Sequence, residues 1–429
     1  MKANPRELAI LSLAAALLLG SRAVALQPLE DFIRAAREQN PDAQRARANL
    51  AEATAAAEVA LGKQLPGVAI RATYDRNQHD VSLSLPTEPP IALHIQPNDQ
   101  WTGVGTLNVP LVDLAGFRRI SAAKTNAEST SHALAATRLA VEGQTVQDYY
   151  QLLANFALVA TAENYVKVSR DNLAVTETRR RAGAATGLEV DRARADVEQQ
   201  VQQLAAAELQ VALVARDLLS TSSLEPDLSS AAELTDDLHS EAELSAFESV
   251  LEGVPSVAAA RSATMAAQQR AEAQDLALLP TLGARFTESV TSAPGFQPTH
   301  WFWQAGVTAS WAFDLTYIAN IRVERAAAEA ARAQETRTRL DAGDAIHRYW
   351  ETVASDIAQS RSARVGRDAA AHALDQAQVQ YKAGAIQQLD LLQAQRDAFQ
   401  ADVTRIRTDA NLLNARAQLR LSAGQTLLP

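Results

Sequence analysis

Two hydrophobic rhythms alternate along the chain, and each occurs twice. Leu29, Phe32, Ile33 and Ala36 recur at helical spacing, and the face they open continues in an alanine-rich run to Leu65. Asn40-Pro41 interrupts that helix, and Gly253-Val254-Pro255 interrupts its counterpart over 244–278. The period then drops to two. Val68, Ile70, Ala72 and Tyr74 alternate with Ala69, Arg71 and Thr73, while Leu282, Ala284 and Phe286 alternate with Gly283, Arg285 and Thr287. On the return strands Trp301, Trp303, Ala305, Val307, Ala309, Trp311 and Phe313 share one face, as do Trp101, Gly103, Gly105, Leu107, Val109 and Leu111. Trp303 to Trp311 spans roughly 26 Å at strand rise. A transmembrane barrel carries an apolar band about 25 Å tall between aromatic girdles. Trp101, Trp301, Trp303 and Trp311 are therefore membrane-girdle candidates. One amphipathic hairpin on a soluble core gives the same alternation; its occurrence in two copies favours the membrane.

Long helical segments follow the strands. Ala115–Arg180 and Leu315–Tyr381 contain no proline and almost no glycine, and at helical rise each is roughly 100 Å long. Such length suits a coiled coil or a tube. Beyond a short turn, seven-residue seams run through Val197, Leu204, Val211 and Leu218, and through Leu392, Phe399, Ile406 and Leu413. These predict knobs-into-holes pairing.

The turns themselves repeat. Arg181-Ala182-Gly183, followed by Leu188-Glu189, returns as Lys382-Ala383-Gly384, followed by Leu389-Asp390, at a shift of 201 residues. In both, glycine permits a left-handed helix cap before the next helix starts. Asp113 matches Asp314 at the same shift, whereas Pro41/Pro255 and Leu65-Pro66/Leu279-Pro280 match at 214. The 13-residue change places a variable loop at about 75–100 in one copy and 289–300 in the other. The expected organisation is a first repeat over 26–220, with strands at about 67–75 and 101–112 and a helical hairpin 115–220 turning at 181–187. An acidic, Ser-rich connection covers 221–243. The second repeat covers 244–429, with strands at about 281–290 and 301–313 and a hairpin 315–421 turning at 382–388.

Composition narrows the classes. Aromatic residues make up only 5%, which suits long shallow-packed helices. A net charge of −10 speaks against a nucleic-acid partner, since phosphate binding needs clustered Lys and Arg. Without cysteine there is no disulfide, thiolate metal site or lipidated cysteine. Residues 1–25 read as an export signal: Lys2 and Arg6, an apolar Leu8–Leu19, and Ala23-Val24-Ala25. No later run is apolar for about 18 residues, so a membrane span would have to be made of strands. The seven histidines include no i, i+4 pair, and His79 and His94 fall in the expected loop. There is no nucleophile elbow, P-loop or dinucleotide fingerprint. The reading is a non-enzyme with no cofactor, no metal and no catalytic residues.

Taken together, the paired turns, Pro110-Leu111-Val112-Asp113 and Trp311-Ala312-Phe313-Asp314 resemble the TolC family of outer-membrane efflux proteins, over essentially the whole mature chain. Four strands cannot close a barrel, and open edges are excluded from lipid. Oligomerisation is thus required, although three chains and four are equally compatible with the pattern. The resemblance implies three: a homotrimer with a shared 12-stranded barrel continuous with a periplasmic helical tunnel, mainly α with a small transmembrane β part. It also implies a passive exit duct of a tripartite efflux pump or type I secretion system, lodged in outer-membrane lipid of a Gram-negative bacterium. Its partners would be a periplasmic adaptor (membrane fusion) protein and an inner-membrane transporter. Alternatives are an exported coiled-coil or adhesive protein and a stand-alone porin.

The resemblance assigns candidate roles. Glu189 and Asp390 match carboxylates of the pore aperture, and a further family aspartate corresponds to Gln393. Both acids also suit a plain helix N-terminus. Tyr381 matches a gate-latching tyrosine, with Arg180 at the equivalent place in the first copy; packing and surface roles suit them equally. Arg181, Ala182, Gly183, Leu188, Lys382, Ala383, Gly384 and Leu389 are adaptor-contact candidates. Arg71 and Arg285 share the polar strand face, which places them in the barrel lumen or in a salt bridge within its wall.

Overall fold

The computed structural model describes residues 26–87, 91–228, 234–313 and 315–428. The expected export signal and Asp314 lie outside them. Helix α1 (Leu29–Gln39) ends where Asn40 turns extended, and α2 (Pro41–Gly62) starts on the proline, which has no N–H to leave unpaired. Strands β1 (Gly67–Arg76) and β4 (Asp99–Val112) follow, separated by a short hairpin of β2 (Val81–Leu85) and β3 (Ile91–Gln96). The stretch expected as a loop over 75–100 thus holds its own strand pair, with His94 in β3. Its short VSLSL and IALHI alternation did not stand out between turn residues.

Helix α3 (Leu114–Arg181) is 68 residues long, and α4 (Gly187–Ser222) returns from it. The second copy runs through α5 (Leu244–Glu248), a single 3-10 turn, α6 (Pro255–Leu276), β5 (Thr281–Thr291), β6 (Trp301–Ser310), α7 (Leu315–Ala383) and α8 (Gln388–Ser422). Strand β6 stops at Ser310, three residues short of the expected 313. Trp311 lies just beyond it and donates its indole N–H to the Leu278 carbonyl at 3.0 Å.

Two compact units divide the chain, and neither is one sequence repeat. One takes Met1–Ala46, Ala135–Val254 and Leu340–Pro429; the other takes Arg47–Leu134 and Pro255–Arg339.

In the first unit, Phe32, Leu152, Leu218 and Ile406 are buried to within 1% in one cluster, and Ile346, Leu412 and Leu419 are buried in another. The seams are buried at Val197, Leu218, Leu392 and Ile406 but only half-buried at Leu204, Val211, Phe399 and Leu413. Residues of the connection are held by charge as well as by apolar contact. Arg416 of α8, 6% exposed, lies 3.0 Å from Asp236, bonds the His239 carbonyl at 2.6 Å and also meets Glu241. Nearby, Arg364 of α7 pairs with the buried Asp409 at 3.1 Å and bonds the Asp236 carbonyl. Burying a guanidinium is costly, and the nearby carboxylates and carbonyl offset that cost.

In the second unit, β1-β4-β5-β6 form one antiparallel sheet. Its register shifts between Pro110 and Val112, where proline has no N–H for the ladder. The Asp113 carboxylate accepts the Gly116 N–H at 2.7 Å, capping α3, and its other oxygen accepts from Gln64 at 2.7 Å. A Cβ on Gly116 would lie 1.8 Å from the Gln64 amide, so a larger residue here would displace the Gln64 side chain from Asp113.

Candidate functional sites: the hairpin tips and the sheet

At the tips, α3 and α7 end in glycines with left-handed backbones, Gly183 and Gly384, both at φ +75°. An L side chain at either would be strained. Helix α4 then starts with a reciprocal cap. Glu189 accepts the Thr186 N–H at 2.6 Å and its hydroxyl at 2.9 Å, and the Glu189 N–H returns to the Thr186 oxygen at 3.3 Å. These bonds, the backbone one first, hold the Glu189 carboxyl below its usual range. In α8 the Asp390 carboxylate likewise accepts the Gln387 N–H, at 3.1 Å. Asp390 and Gln393 are exposed, and Gln393 bonds Asp397 at 2.8 Å. Leu188 and Leu389, adjacent to the two acids, are 59% and 55% exposed, and Arg181, Ala182, Lys382 and Ala383 are exposed as well.

Tyr381 is only 2% exposed. Its hydroxyl lies 3.1 Å from Thr176 Oγ1, and the Arg179 guanidinium stacks 4.5 Å from its ring centre while also bonding its carbonyl. Arg180 does not join this contact: it is exposed, with its guanidinium beside Gly187 of its own turn. The register between repeats points to position 180. Which of three consecutive arginines turns inward depends on the rotation of α3 against its neighbour, and the repeat says nothing about that. Gln388 adds a second link between hairpins, donating to the Glu189 carbonyl.

Strand alternation sorts the sheet into a mainly apolar and a mainly polar face. Cross-strand pairing aligns Val68, Leu107, Phe286 and Ala305 in one row, and Ala72, Gly103, Val290 and Trp301 in another. This face carries large exposed apolar groups: Ile70 at 85%, Val68 at 73% and Val307 at 71%. Trp101, Trp301 and Trp303 stand toward one end of it and Trp311 just past the other, with Phe286 and Trp303 stacked 6.1 Å apart. On this face Glu288 accepts the Trp301 indole N–H at 2.6 Å, and at the strand end Asp99 pairs across to Arg76 and accepts the Tyr74 hydroxyl at 2.7 Å. The other face carries Arg71, Thr73, Thr102, Thr106, Thr287 and Gln304. Arg285 lies there too, with Nε donating to Asn108 Oδ1 at 3.0 Å. Among the described residues neither Arg71 nor Arg285 makes an ion pair. No described helix is long and apolar enough to cross a membrane.

No curated protein sequence matches the chain. Solved structures of similar fold include CusC, at 17% identity over 93% of this chain and 92% of that one, with a TM-score of 0.81. The Campylobacter jejuni CmeC outer membrane channel matches at 15% identity, 93% and 86% coverage and TM-score 0.80. The Vibrio cholerae outer membrane protein VceC matches at 18%, 92% and 96% coverage and TM-score 0.79. The family model for outer membrane efflux proteins matches residues 32–220 and 246–425, both repeats and nearly the whole described chain. The chain therefore belongs to the outer membrane efflux protein family, a family of channels that serve as outer-membrane exit ducts of tripartite efflux systems.

Proposed function

We propose that three copies of this chain close a single barrel of 3 × 4 = 12 strands and together form the exit duct. The observation that carries this is the sheet: one exposed apolar face of membrane height, and two edge strands, β1 and β6, each paired on one side only among the described residues. Unpaired edges in lipid are too costly to leave open, and pairing β6 of one copy with β1 of the next removes them. A periplasmic adaptor and an inner-membrane transporter, of a tripartite pump or a type I secretion system, supply energy and cargo. The protein itself has no catalytic role. Light scattering of the detergent-extracted particle tests the assembly: about three chain masses is expected, and a soluble monomer would overturn it.

The tips are the gate in this reading. Glu189, Asp390 and Gln393 line the aperture, Tyr381 and Arg180 contribute to a latch, and the exposed turn residues Arg181, Ala182, Gly183, Leu188, Lys382, Ala383, Gly384 and Leu389 meet the adaptor. Three copies of each carboxylate around one axis would favour cations. Asp390→Asn should lower the cation selectivity of the reconstituted pore, and unchanged selectivity would remove Asp390 from the aperture.

A further inference from the structure

The polar face of the sheet has a charge sign that the duct reading alone does not supply. The chain carries a net charge of −10, yet on this face the charged side chains are Arg71, Arg285 and Asp75. Asp75 lies next to the end of β1, four positions beyond Arg71. Glu288, which might have neutralised an arginine from the neighbouring strand, points to the opposite face and is occupied by Trp301.

Register fixes the levels of the two arginines. Arg71 pairs with Val104, and Val104 with Ser289; Arg285 pairs with Asn108 and with Gly306. Val104 and Asn108 are four residues apart on β4, which separates the two levels by roughly 13 Å. Both arginines are exposed. Asn108 holds Arg285 through Nε alone, so the terminal N–H groups of its guanidinium keep their donors for a solute. Thr73, Thr102, Thr106, Thr287 and Gln304 lie on the same face, polar groups that hydrate a charge without cancelling it, beside Val104 and Phe302.

We propose that Arg71 and Arg285 form two stacked guanidinium rings in the assembled barrel that bind and concentrate multivalent anions, such as polycarboxylates or phosphates. This rests on the shared-barrel reading: in one chain the pair is a surface feature, while in three it is six fixed cations around an enclosed aqueous path. Guanidinium stays charged at any physiological pH and offers the planar fork that carboxylate and phosphate match. The barrel would then select for anions independently of the carboxylates at the hairpin tips.

The test uses the detergent-extracted full-length protein and the trisulfonated pyrene dye pyranine, read by fluorescence anisotropy at low salt. Wild type should bind the dye, and R71Q/R285Q should bind it about tenfold more weakly, because each ring loses its charge. R71K/R285K, which keeps the charge but loses the planar fork, should bind with intermediate strength and controls for folding. Equal binding by wild type and R71Q/R285Q, with trimeric mass intact in both, would overturn the rings and leave the duct standing. A monomeric wild-type particle would overturn the shared barrel, and the rings with it. In planar bilayers the same double variant should shift the reversal potential toward cation preference.

Discussion

At the residue scale, a few backbone and capping positions bear most of the local constraint. Gly183 and Gly384 sit at φ +75°, where alanine is disfavoured by roughly 1–2 kcal/mol. Gly183→Ala should lower the thermal midpoint with little loss of helix, since only the turn is strained. Asp113 caps α3 and receives Gln64, and its replacement by alanine should cost about 1 kcal/mol in chemical denaturation. Glu189 gives a pH prediction. Its folded-state pKa is depressed by the Thr186 bonds. The cap it makes therefore contributes stability above the unfolded carboxylate value and loses it as pH falls through the folded one. Glu189→Gln should remove this acid-side dependence, and a carboxyl titration followed by NMR in the wild type should show a midpoint below that of an ordinary glutamate.

At the level of elements, Arg179, Tyr381 and Thr176 join the two hairpins at their tips, beside the Gln388 link. Arg179→Ala removes both the ring stacking and the bond to the Tyr381 carbonyl, so under the proposed gate single-channel conductance should rise. Tyr381→Phe loses only the Thr176 bond, about 1 kcal/mol, and should act in the same direction but more weakly. Arg180→Ala tests the alternative: if it raises conductance more than Arg179→Ala does, the proposed latch lies between chains rather than within one. The helical seams behave differently along their length. Leu218 is fully buried among Phe32, Leu152 and Ile406, and Leu218→Ala should cost about 2–5 kcal/mol, whereas Leu204 and Val211 are half-buried and should tolerate alanine better.

At the scale of the molecule, family membership makes this a channel protein of the outer membrane with a helical periplasmic part, and the adhesive and porin readings fall with it. The absence of cysteine makes the edge pairing easy to probe. A double variant with one cysteine in β1 and one in β6, oxidised in membranes, should run as a ladder ending at three chains. A ladder that stops at two would refute the shared barrel.

Much of this was already legible in local patterns. The 201-residue repeat located both tips because a left-handed turn needs glycine, and glycine is visible in any sequence. Strict alternation sorted the strand faces, and with them Arg71 and Arg285, because side chains on a strand have no other choice than one face or the other. Three features depended instead on long-range packing. The compact units take their parts from both repeats, since burial joins whichever segments touch and not those that share ancestry. Arg416, one of several arginines along α8, became a buried clamp only because the connection carrying Asp236 and Glu241 lies against it. Arg179, and not Arg180, meets Tyr381 because helix rotation, set by the whole interface, decides which neighbour turns inward. By itself the sequence determined period, turn and face, which are properties of a few adjacent residues; the tertiary structure decided partners, which depend on where distant segments come to rest.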